Sequence, residues 1–260
     1  MLTNIIYNED CFETFKRIDD KSIDMVLTSP PYDNLRTYNG FSFDFKNTAR
    51  ELYRVTKQGG VVVWVVADAT IKGSETGTSF RQALYFKEIG FNLHDTMIYL
   101  KNSCAFPTNC RYNQIFEYMF ILSKGKPKVF NPLLRDNNYG SFTRKMTHRN
   151  TDGSMQLNET VTLQKQSNYG NVWLYETGYM KSTKDKIAYE HPAIFPEQLA
   201  IDHVKSWSNE GNTVLDCFMG SGTTAIACIN TKRNYIGCEL DKGYYDICIK
   251  RIEEHQRREV

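Results

Sequence analysis

The run Val61-Val-Val-Trp-Val-Val66 constrains the fold of this chain more than any other segment. A continuous apolar, β-branched run is typical of a strand that is covered on both faces, as in a parallel sheet flanked by helices. Residues 23–28 and 213–216 have a similar apolar character, and segments of helical spacing lie between such runs. Because strands alternate with helices, the sequence predicts a mostly parallel, doubly wound α/β sheet.

Shorter segments continue this alternation of strands and helices. We predict that a helix over residues 43–56 stops at Gly59-Gly60, and that Ser79 caps a helix running to Gly90. The other predicted strands cover residues 5–7, 93–100, 114–122 and 234–239. The other predicted helices cover residues 11–17, 196–206, 223–230 and 242–255.

Regular periodicity fades between residues 124 and 189, where polar, glycine and aromatic residues dominate. A chain of 260 residues, 41% of them hydrophobic, can bury the core of one large domain. We therefore predict a domain in two halves, residues 1–123 and 190–260, interrupted by an insertion over residues 124–189.

Positive charge is concentrated at the start of this predicted insertion. The net charge of the chain is only +2, yet residues 124–150 contain seven Lys and Arg residues against one acidic residue. Phe130, Tyr139 and Phe142 lie among these charges, a mixture suited to phosphate contacts and base stacking. A solvated loop face is the alternative interpretation.

Several classes of protein do not fit this sequence. The longest apolar run, residues 61–67, is too short to cross a bilayer, and the first residues do not resemble a signal peptide, so we expect a cytoplasmic protein. Seven cysteines occur without a C-x-x-C pair, so we expect reduced thiols and no metal site.

The motif Thr28-Ser-Pro-Pro-Tyr32 directly follows the strand predicted over residues 23–28. Proline has a fixed φ and no N–H group, so the carbonyls of Ser29 and Pro30 have few ladder partners and can face a cleft. Hydrogen-bond acceptors beside the ring of Tyr32 suit a planar ligand with an exocyclic amino group, such as a nucleic-acid base. A proline-rich turn capped by a packed tyrosine is the alternative.

A second motif, Asp216-Cys-Phe-Met-Gly-Ser-Gly, joins a predicted strand to a predicted helix. Gly220 and Gly222 allow close approach of a ligand at the helix N-terminus, and Glu239 ends the next strand, where βαβ folds hold ribose hydroxyls. These features predict an adenosine-containing cofactor. Asp216 either receives a positively charged amino group or orients the turn. A dinucleotide site, with Ala225 in place of the third glycine, and a purely structural turn are the alternatives.

Together the two motifs resemble those of S-adenosylmethionine-dependent DNA amino-methyltransferases, in the circularly permuted group whose catalytic half precedes its cofactor half. The resemblance covers nearly the whole chain and implies a permuted, Rossmann-like methyltransferase sheet with a target-recognition insertion. It implies that a helix over residues 191–199 packs over the methionine end of the cofactor. It places the acceptor tetrapeptide on Ser29, Pro30, Pro31 and Tyr32. It places the cofactor site on Asp10, Cys11, Phe12, Asp216, Phe218, Gly220, Gly222, Thr223 and Glu239.

The resemblance also implies a substrate and partners. In this family a serine before the prolines is commoner in enzymes that methylate N4 of cytosine, so Ser29 favours that base in duplex DNA, and Phe195-Pro196 also resembles the cytosine group. Adenine N6 is the alternative, and a catalytically silent nucleic-acid-binding protein or methylation of RNA or protein is a further one. We expect base flipping and either a monomer or a homodimer, with a cognate restriction endonuclease as a possible partner. Candidate DNA contacts are Arg36, Arg144, Lys145 and Arg149.

Overall fold

The computed structural model describes residues 1–31, 43–104, 109–138 and 140–258, with the backbone alone at 157–159. The strands are β1 (Ile5–Tyr7), β2 (Ile23–Thr28), β3 (Thr56–Val66), β4 (Thr70–Ile71), β5 (Ser74–Glu75), β6 (Asn92–Lys101), β7 (Phe116–Ser123), β8 (Leu134–Asp136), β9 (Phe142–Arg149), β10 (Met155–Leu163), β11 (Gln166–Asn168), β12 (Val172–Tyr175), β13 (Thr213–Asp216) and β14 (Asn234–Cys238). The helices are α1 (Cys11–Lys16), α2 (Phe45–Val55), α3 (Thr78–Glu88), α4 (Glu197–Trp207), α5 (Thr223–Asn230) and α6 (Lys242–Arg258), with a short 3₁₀ helix at Lys186–Glu190.

Eight of the described strands form a central sheet in the order β1-β14-β13-β2-β3-β7-β6-β12. Neighbouring strands are parallel except for β7, which is antiparallel to β3 and β6. This arrangement confirms the predicted mostly parallel α/β sheet. From the centre, β2 leads to β3 in one direction and β13 leads to β14 in the other, so the strand order reverses between β13 and β2. In open α/β sheets, ligands bind in the crevice beyond the carboxyl ends of the strands at such a reversal.

The core lies on both faces of β3, as the sequence predicts. Every residue from Val61 to Val66 is at least 98% buried. Trp64 packs against Phe86 on one face, and its indole N–H donates to Gln82 Oε1 at 2.9 Å. The buried indole therefore keeps a hydrogen-bond partner, as a buried polar group requires.

Two predicted helix ends are wrong. The helix α2 passes directly into β3 at Thr56, so Gly59-Gly60 lies in the strand, where Gly59 has a φ of +83° and leaves no room for a Cβ beside Lys128. Ser79 does not cap α3, which begins at Thr78 after Gly77. Instead, Asp68 accepts from the Ser79 backbone N–H at 2.8 Å, so a distant carboxylate satisfies this donor.

Residues Pro132–Gly170 form a second compact unit, separate from Met1–Asn131 and Asn171–Val260. It contains the antiparallel pairs β9–β10 and β8–β11, with a bulge in β10 between Gln156 and Glu159. Strands therefore form in a segment where the sequence shows no regular periodicity. In β9 the side chains are mostly exposed on both faces, so no apolar alternation announces the strand.

Among the described helices, none has the length and apolar character needed to span a membrane.

Candidate active site

The two sequence motifs meet at the carboxyl edge of the sheet. Strands β13 and β2 are parallel neighbours, with Leu215 opposite Val26. The Thr28 hydroxyl donates to Asp216 Oδ1 at 2.7 Å, although the two residues are 188 positions apart in the chain. Residues of both motifs line one cavity of about 1150 Å³. The glycine turn and the Ser-Pro-Pro corner therefore open onto the same space.

Asp216 organises the glycine turn from inside the protein. Its carboxylate is 1% exposed and accepts hydrogen bonds from the Thr224 hydroxyl at 2.6 Å, the Thr28 hydroxyl and the Phe218 backbone N–H at 3.1 Å. Burial raises the pKa of Asp216. It is not among the described residues that line the cavity. Of the two roles that the sequence left open, these contacts support the orientation of the turn.

Glu239 joins the end of β14 to the same turn. Its Oε2 accepts from the Gly220 backbone N–H at 2.9 Å, and its Oε1 accepts from the Asp241 N–H at 3.0 Å. Burial raises the pKa of this carboxyl group. Glu239 lines the cavity, so its carboxylate lies at the strand end where the sequence placed a ribose-binding acid.

The two glycines of the turn have different environments. Gly220 has a φ of +53° and lines the cavity, where a Cβ would lie 3.2 Å from His191 Nε2. Gly222 has a φ of +83°, and a Cβ there would lie 2.7 Å from Cys248 Sγ of α6. The requirement for glycine at 222 therefore comes from backbone conformation and helix packing rather than from ligand approach. The adjacent Thr223 lines the cavity.

Residues at the start of α1 form another part of the wall. Asp10 caps the helix, with Oδ1 accepting from the Phe12 backbone N–H at 2.8 Å. Burial raises the pKa of Cys11 to about 12, so this residue is a neutral thiol at pH 7. Asp10, Cys11 and Phe12 all line the cavity, as does Phe218 from the turn. The cavity thus combines carboxylates with aromatic rings near the glycine turn.

The Ser-Pro-Pro corner contributes Ser29 and Pro31 to the cavity wall, and both are half-buried. Pro30 is buried and is not among the described lining residues. Tyr32 and Arg36 lie outside the described residues.

The basic candidates Arg144, Lys145 and Arg149 lie on β9 of the second unit, and all three are exposed. Successive side chains of a strand point to opposite faces, so Lys145 and Arg149 share one face and Arg144 lies on the other. The Arg144 guanidinium lies 5.9 Å from the ring centre of Phe142, on the same face.

The cavity wall also includes His191, which lies in the segment that the resemblance placed beside the cofactor, and Tyr244, which the sequence did not identify. The rings of His191 and Tyr244 are 4.3 Å apart, and both residues line the cavity. His191 Nδ1 accepts from the Ala193 backbone N–H at 3.1 Å, and residues 191–195 form a non-helical wall segment. The predicted helix over residues 191–199 is therefore wrong in its first part, because α4 begins at Glu197. Tyr244 is the third residue of α6, where helical periodicity alone gives no sign of a binding role.

At the other end of the cavity, Lys101 and Glu117 form an ion pair at 2.5 Å. Tyr99 also lines this end, and burial raises the pKa of its hydroxyl so that it stays protonated. These residues come from β6 and β7, beyond β3 as seen from the glycine turn. The cavity therefore extends along the sheet edge, past the Ser-Pro-Pro corner.

The wall near the glycine turn fits an adenosine-bearing amino acid. Glu239 at a strand end suits ribose hydroxyls, Asp10 suits an amino group, and the rings of Phe12 and Phe218 suit a purine. The volume of about 1150 Å³ also exceeds the roughly 300–1000 Å³ typical of a site for one small ligand.

Known proteins are similar to this chain in sequence and in fold. A model of the N6/N4 methyltransferase family, described as DNA methylase, matches residues 23–250. The orphan methyltransferase M.BamHII of Bacillus amyloliquefaciens is 58% identical over 244 residues, and the match covers 92% of each protein. The M1.HpyAVI–SAM complex has a TM-score of 0.64 at 24% identity, covering 95% of this chain and 98% of that one. The cytosine-N4-specific PvuII DNA methyltransferase has a TM-score of 0.69 at 18% identity, covering 95% and 85%.

Proposed function

Because the chain belongs to the DNA methylase family of S-adenosylmethionine-dependent amino-methyltransferases, we propose that it methylates N4 of cytosine in duplex DNA. The observation that carries this proposal is the hydrogen bond from Thr28 to Asp216, with the Ser-Pro-Pro corner and the glycine turn opening onto one cavity. Transfer between two bound groups requires such a shared space, because the reacting atoms must be held near contact distance.

On this proposal, the cofactor occupies the part of the cavity beside the glycine turn. Glu239 receives the ribose hydroxyls, Asp10 accepts from the adenine amino group, and Phe12 packs against the purine. Gly220, with no Cβ, lets the turn approach the ligand. When bound, S-adenosylmethionine supplies the methyl group as an electrophilic carbon on its sulfonium.

The Ser-Pro-Pro corner prepares the amine for attack. The lone pair of an exocyclic amino group is delocalised into the ring, so acceptors must draw its hydrogens out of the plane and stabilise the developing positive charge. We assign these acceptor roles to the Ser29 hydroxyl and the Pro30 carbonyl. Pro31 fixes the backbone that presents them, and Tyr32 stacks on the base.

The base must leave the duplex to reach this corner. A nucleobase in a helix is covered by its stacking neighbours, so enzymes that act on its amino group turn it outwards into a pocket. The cavity extends beyond Ser29 to Tyr99 and the Lys101–Glu117 ion pair, which supply a polar wall on the side away from the glycine turn. We place the flipped base between these residues and the corner.

The preference for cytosine depends on the residue at position 29. Serine is a neutral acceptor that lacks the charge of a carboxylate, and it is the residue commoner in the cytosine-N4 members of the family. The same site with the same mechanism would serve N6 of adenine, and the family model spans both chemistries. Adenine N6 is therefore the second candidate.

DNA contacts outside the pocket are assigned to Arg36 and to the basic strand β9, through Arg144, Lys145 and Arg149. Lys and Arg side chains bind phosphates, which positions a protein on the duplex, and they also contact guanine edges in the major groove. The relative from Bacillus amyloliquefaciens is named an orphan methyltransferase, and the proposal requires no companion endonuclease.

Incubation with plasmid DNA and S-adenosylmethionine, followed by nucleoside mass spectrometry, tests the proposal. We expect N4-methylcytosine. N6-methyladenine would overturn the assignment of the base, and unmodified DNA would overturn the proposed reaction. RNA and protein incubated in parallel provide specificity controls, because label on them and not on DNA would identify a different substrate.

A further inference from the structure

A fully buried arginine lies behind the cofactor cavity. Arg251 of α6 has a side chain with no exposed surface. Its five N–H groups make five hydrogen bonds, to Asp185 Oδ2 at 3.0 Å, the Ser221 carbonyl at 3.1 Å, Thr223 Oγ1 at 3.0 Å, Thr183 Oγ1 at 3.2 Å and Glu197 Oε2 at 3.0 Å. All the donors of the guanidinium are therefore used.

These partners belong to two different walls of the cavity. Ser221 and Thr223 are part of the glycine turn and the start of α5, and both line the cavity. The facing wall is formed by residues 189 and 191–195. The other three partners lie on either side of this segment, namely Thr183, Asp185 and Glu197. The guanidinium thus bonds the turn and the wall segment through a single rigid group.

Other residues of α6 contact the same two walls. Tyr244 packs on His191 of the wall segment, and Cys248 lies against Gly222 of the turn. Residues 244, 248 and 251 recur at helical spacing, so one face of α6 carries all three contacts. Arg251 hydrogen-bonds to both walls.

We propose that Arg251 is a positioning residue for S-adenosylmethionine: it fixes the glycine turn against residues 183–197, so that the cofactor site has its binding shape before the ligand enters. Pre-organisation of this kind improves affinity because less conformational freedom is lost on binding. The inference rests on the cofactor of the family and is independent of whether the base is cytosine or adenine.

The electrostatics fit this role. The buried positive charge has two carboxylate partners, Asp185 and Glu197, and Arg258 also bonds Asp185 Oδ1 at 2.7 Å. Burial opposes ionisation of Asp185, but the hydrogen bonds and charges of Arg251 and Arg258 outweigh it and hold its pKa below the ordinary value. Lysine has three donors in place of five and no planar fork, so it would not span both walls equally well.

The test compares Arg251→Met with Arg251→Lys and with a matched control at another arginine. Arg233 uses its three guanidinium nitrogens to bond Ser208 and the Thr231 carbonyl, next to the amino end of β14, at the opposite edge of the sheet from the cavity. Arg233→Met therefore removes an arginine with three hydrogen bonds, none of which reaches either wall.

For Arg251→Met we expect the Kd and KM for S-adenosylmethionine to rise by about tenfold or more, corresponding to the loss of charged hydrogen bonds that hold the site. We expect kcat at saturating cofactor to stay within about threefold, and the Kd for DNA to be unchanged, because the five hydrogen bonds of Arg251 end on the glycine turn, the start of α5 and residues 183–197. Arg251→Lys should give an intermediate cofactor Kd. Arg233→Met should lower the Tm and leave the cofactor Kd unchanged.

A wild-type cofactor Kd in folded Arg251→Met would overturn the proposal, and so would an equal increase in Arg233→Met, because that increase would show a general effect of lost stability. If Arg251→Met does not fold, Asp185→Asn decides the question. Asp185 is not among the described residues that line the cavity, yet its bond holds Arg251 to the wall segment. An unchanged cofactor Kd in Asp185→Asn contradicts the proposal, whereas an increase supports it.

Discussion

The glycine turn after β13 and the Ser-Pro-Pro corner after β2 end neighbouring strands and open onto the same cavity, but different forces hold their shapes. The turn depends on the carboxylate of Asp216 at its start, and on Glu239 and Arg251 from later segments of the chain. The corner depends on two proline rings, which fix φ through covalent geometry. Hydrogen bonds from side chains hold the glycine turn, and the proline rings restrict the backbone of the Ser-Pro-Pro corner.

Because of this difference, we expect substitutions in the turn to affect cofactor binding and substitutions in the corner to affect methyl transfer. The shape of the turn belongs to a network, so substitutions there should change folding and cofactor affinity together. The shape of the corner is local, so removing its functional groups should change the transfer step with little effect on the rest of the molecule. Thr28 and Asp216 join the two regions, so a change at that bond should affect both.

The largest effect is expected from Asp216→Ala, which removes the hydrogen bond between Thr28 and Asp216 that joins the two regions. Three donors inside the protein lose their acceptor, and buried unsatisfied groups cost about 1–3 kcal/mol each, so the free energy of unfolding should fall by about 3 kcal/mol or more. Cofactor binding and transfer should both decrease. Urea unfolding and calorimetric titration measure these changes. Asp246→Ala, at an exposed ion pair of α6, is the control, with an expected change within about 0.5 kcal/mol. A loss below about 1 kcal/mol in Asp216→Ala would show that the two regions are independent.

Ser29→Ala should separate chemistry from binding. Loss of one well-placed polar group at a reacting centre lowers kcat by about 100-fold, while the Kd for S-adenosylmethionine should stay within about twofold. Single-turnover transfer of labelled methyl and equilibrium titration provide the two values. Ser22→Ala, just before the opposite end of β2, is the matched control and should leave kcat unchanged. Normal transfer by Ser29→Ala would show that this hydroxyl is not the acceptor.

Glu239→Ala should have the converse effect. The variant removes the partner of the Gly220 N–H and the acceptor that we propose for the ribose hydroxyls, so the cofactor Kd should rise by about 10- to 100-fold. At saturating cofactor, kcat should remain within about threefold. Initial rates over a range of cofactor concentrations measure both quantities, with Glu210→Ala on the surface as control. A fall in kcat without a change in Kd would contradict the division between the two regions.

The exposed strand β9 provides a smaller effect that should alter neither region. If one face of the strand meets phosphates, Lys145→Ala with Arg149→Ala should reduce the salt dependence of DNA binding by about two units of slope, and Arg144→Ala on the other face should leave it unchanged. The reverse result would identify the Arg144 face. Binding measured at several salt concentrations decides, with the cofactor Kd as the control. Equal effects from both faces would contradict a one-sided contact.

The smallest effect is expected when stability is measured as a function of pH. The Arg251 network behind the glycine turn contains the carboxylate of Asp185, whereas Ser29 in the corner carries no charge. Asp185 has a lowered pKa in the folded state, so it contributes stability above the ordinary value of 3.8 and loses that contribution as the pH falls through its folded-state pKa. The difference in unfolding free energy between wild type and Asp185→Asn should therefore shrink as the pH decreases below 3.8. Ser29 does not titrate, so the corresponding difference for Ser29→Ala should not change over the same range. A constant difference for Asp185→Asn would show that the carboxylate is not stabilised by Arg251 and Arg258.

The central elements could be predicted from the sequence because their apolar composition indicates that they are buried. The run from Val61 to Val66 is apolar on both sides, and it forms the strand with the core on both faces. The glycine turn was located by its position between an apolar strand and a helix, and the structure places it there with Gly222 immediately before α5. In both cases, local patterns and tertiary contacts agree.

Other features depend on partners that no local pattern reveals. Asp68 accepts from the start of α3 across 11 residues, a contact that no local pattern indicates. Strand β9 is mostly exposed on both faces, so it shows no apolar alternation. In the sequence, Arg251 is close to Lys250, Arg257 and Arg258, and such a charged stretch predicts an exposed side chain. Its spacing from Cys248, on the buried face of α6, is the signal that was available.

The bond between Thr28 and Asp216 has a consequence for biosynthesis. A ribosome adds about 5–20 residues per second, so the 188 residues between them take roughly 10 to 40 s to emerge. During that interval β2 lacks its neighbour β13, and the Ser-Pro-Pro corner has no glycine turn beside it. The cavity that both motifs line can therefore form only after the glycine turn has left the ribosome.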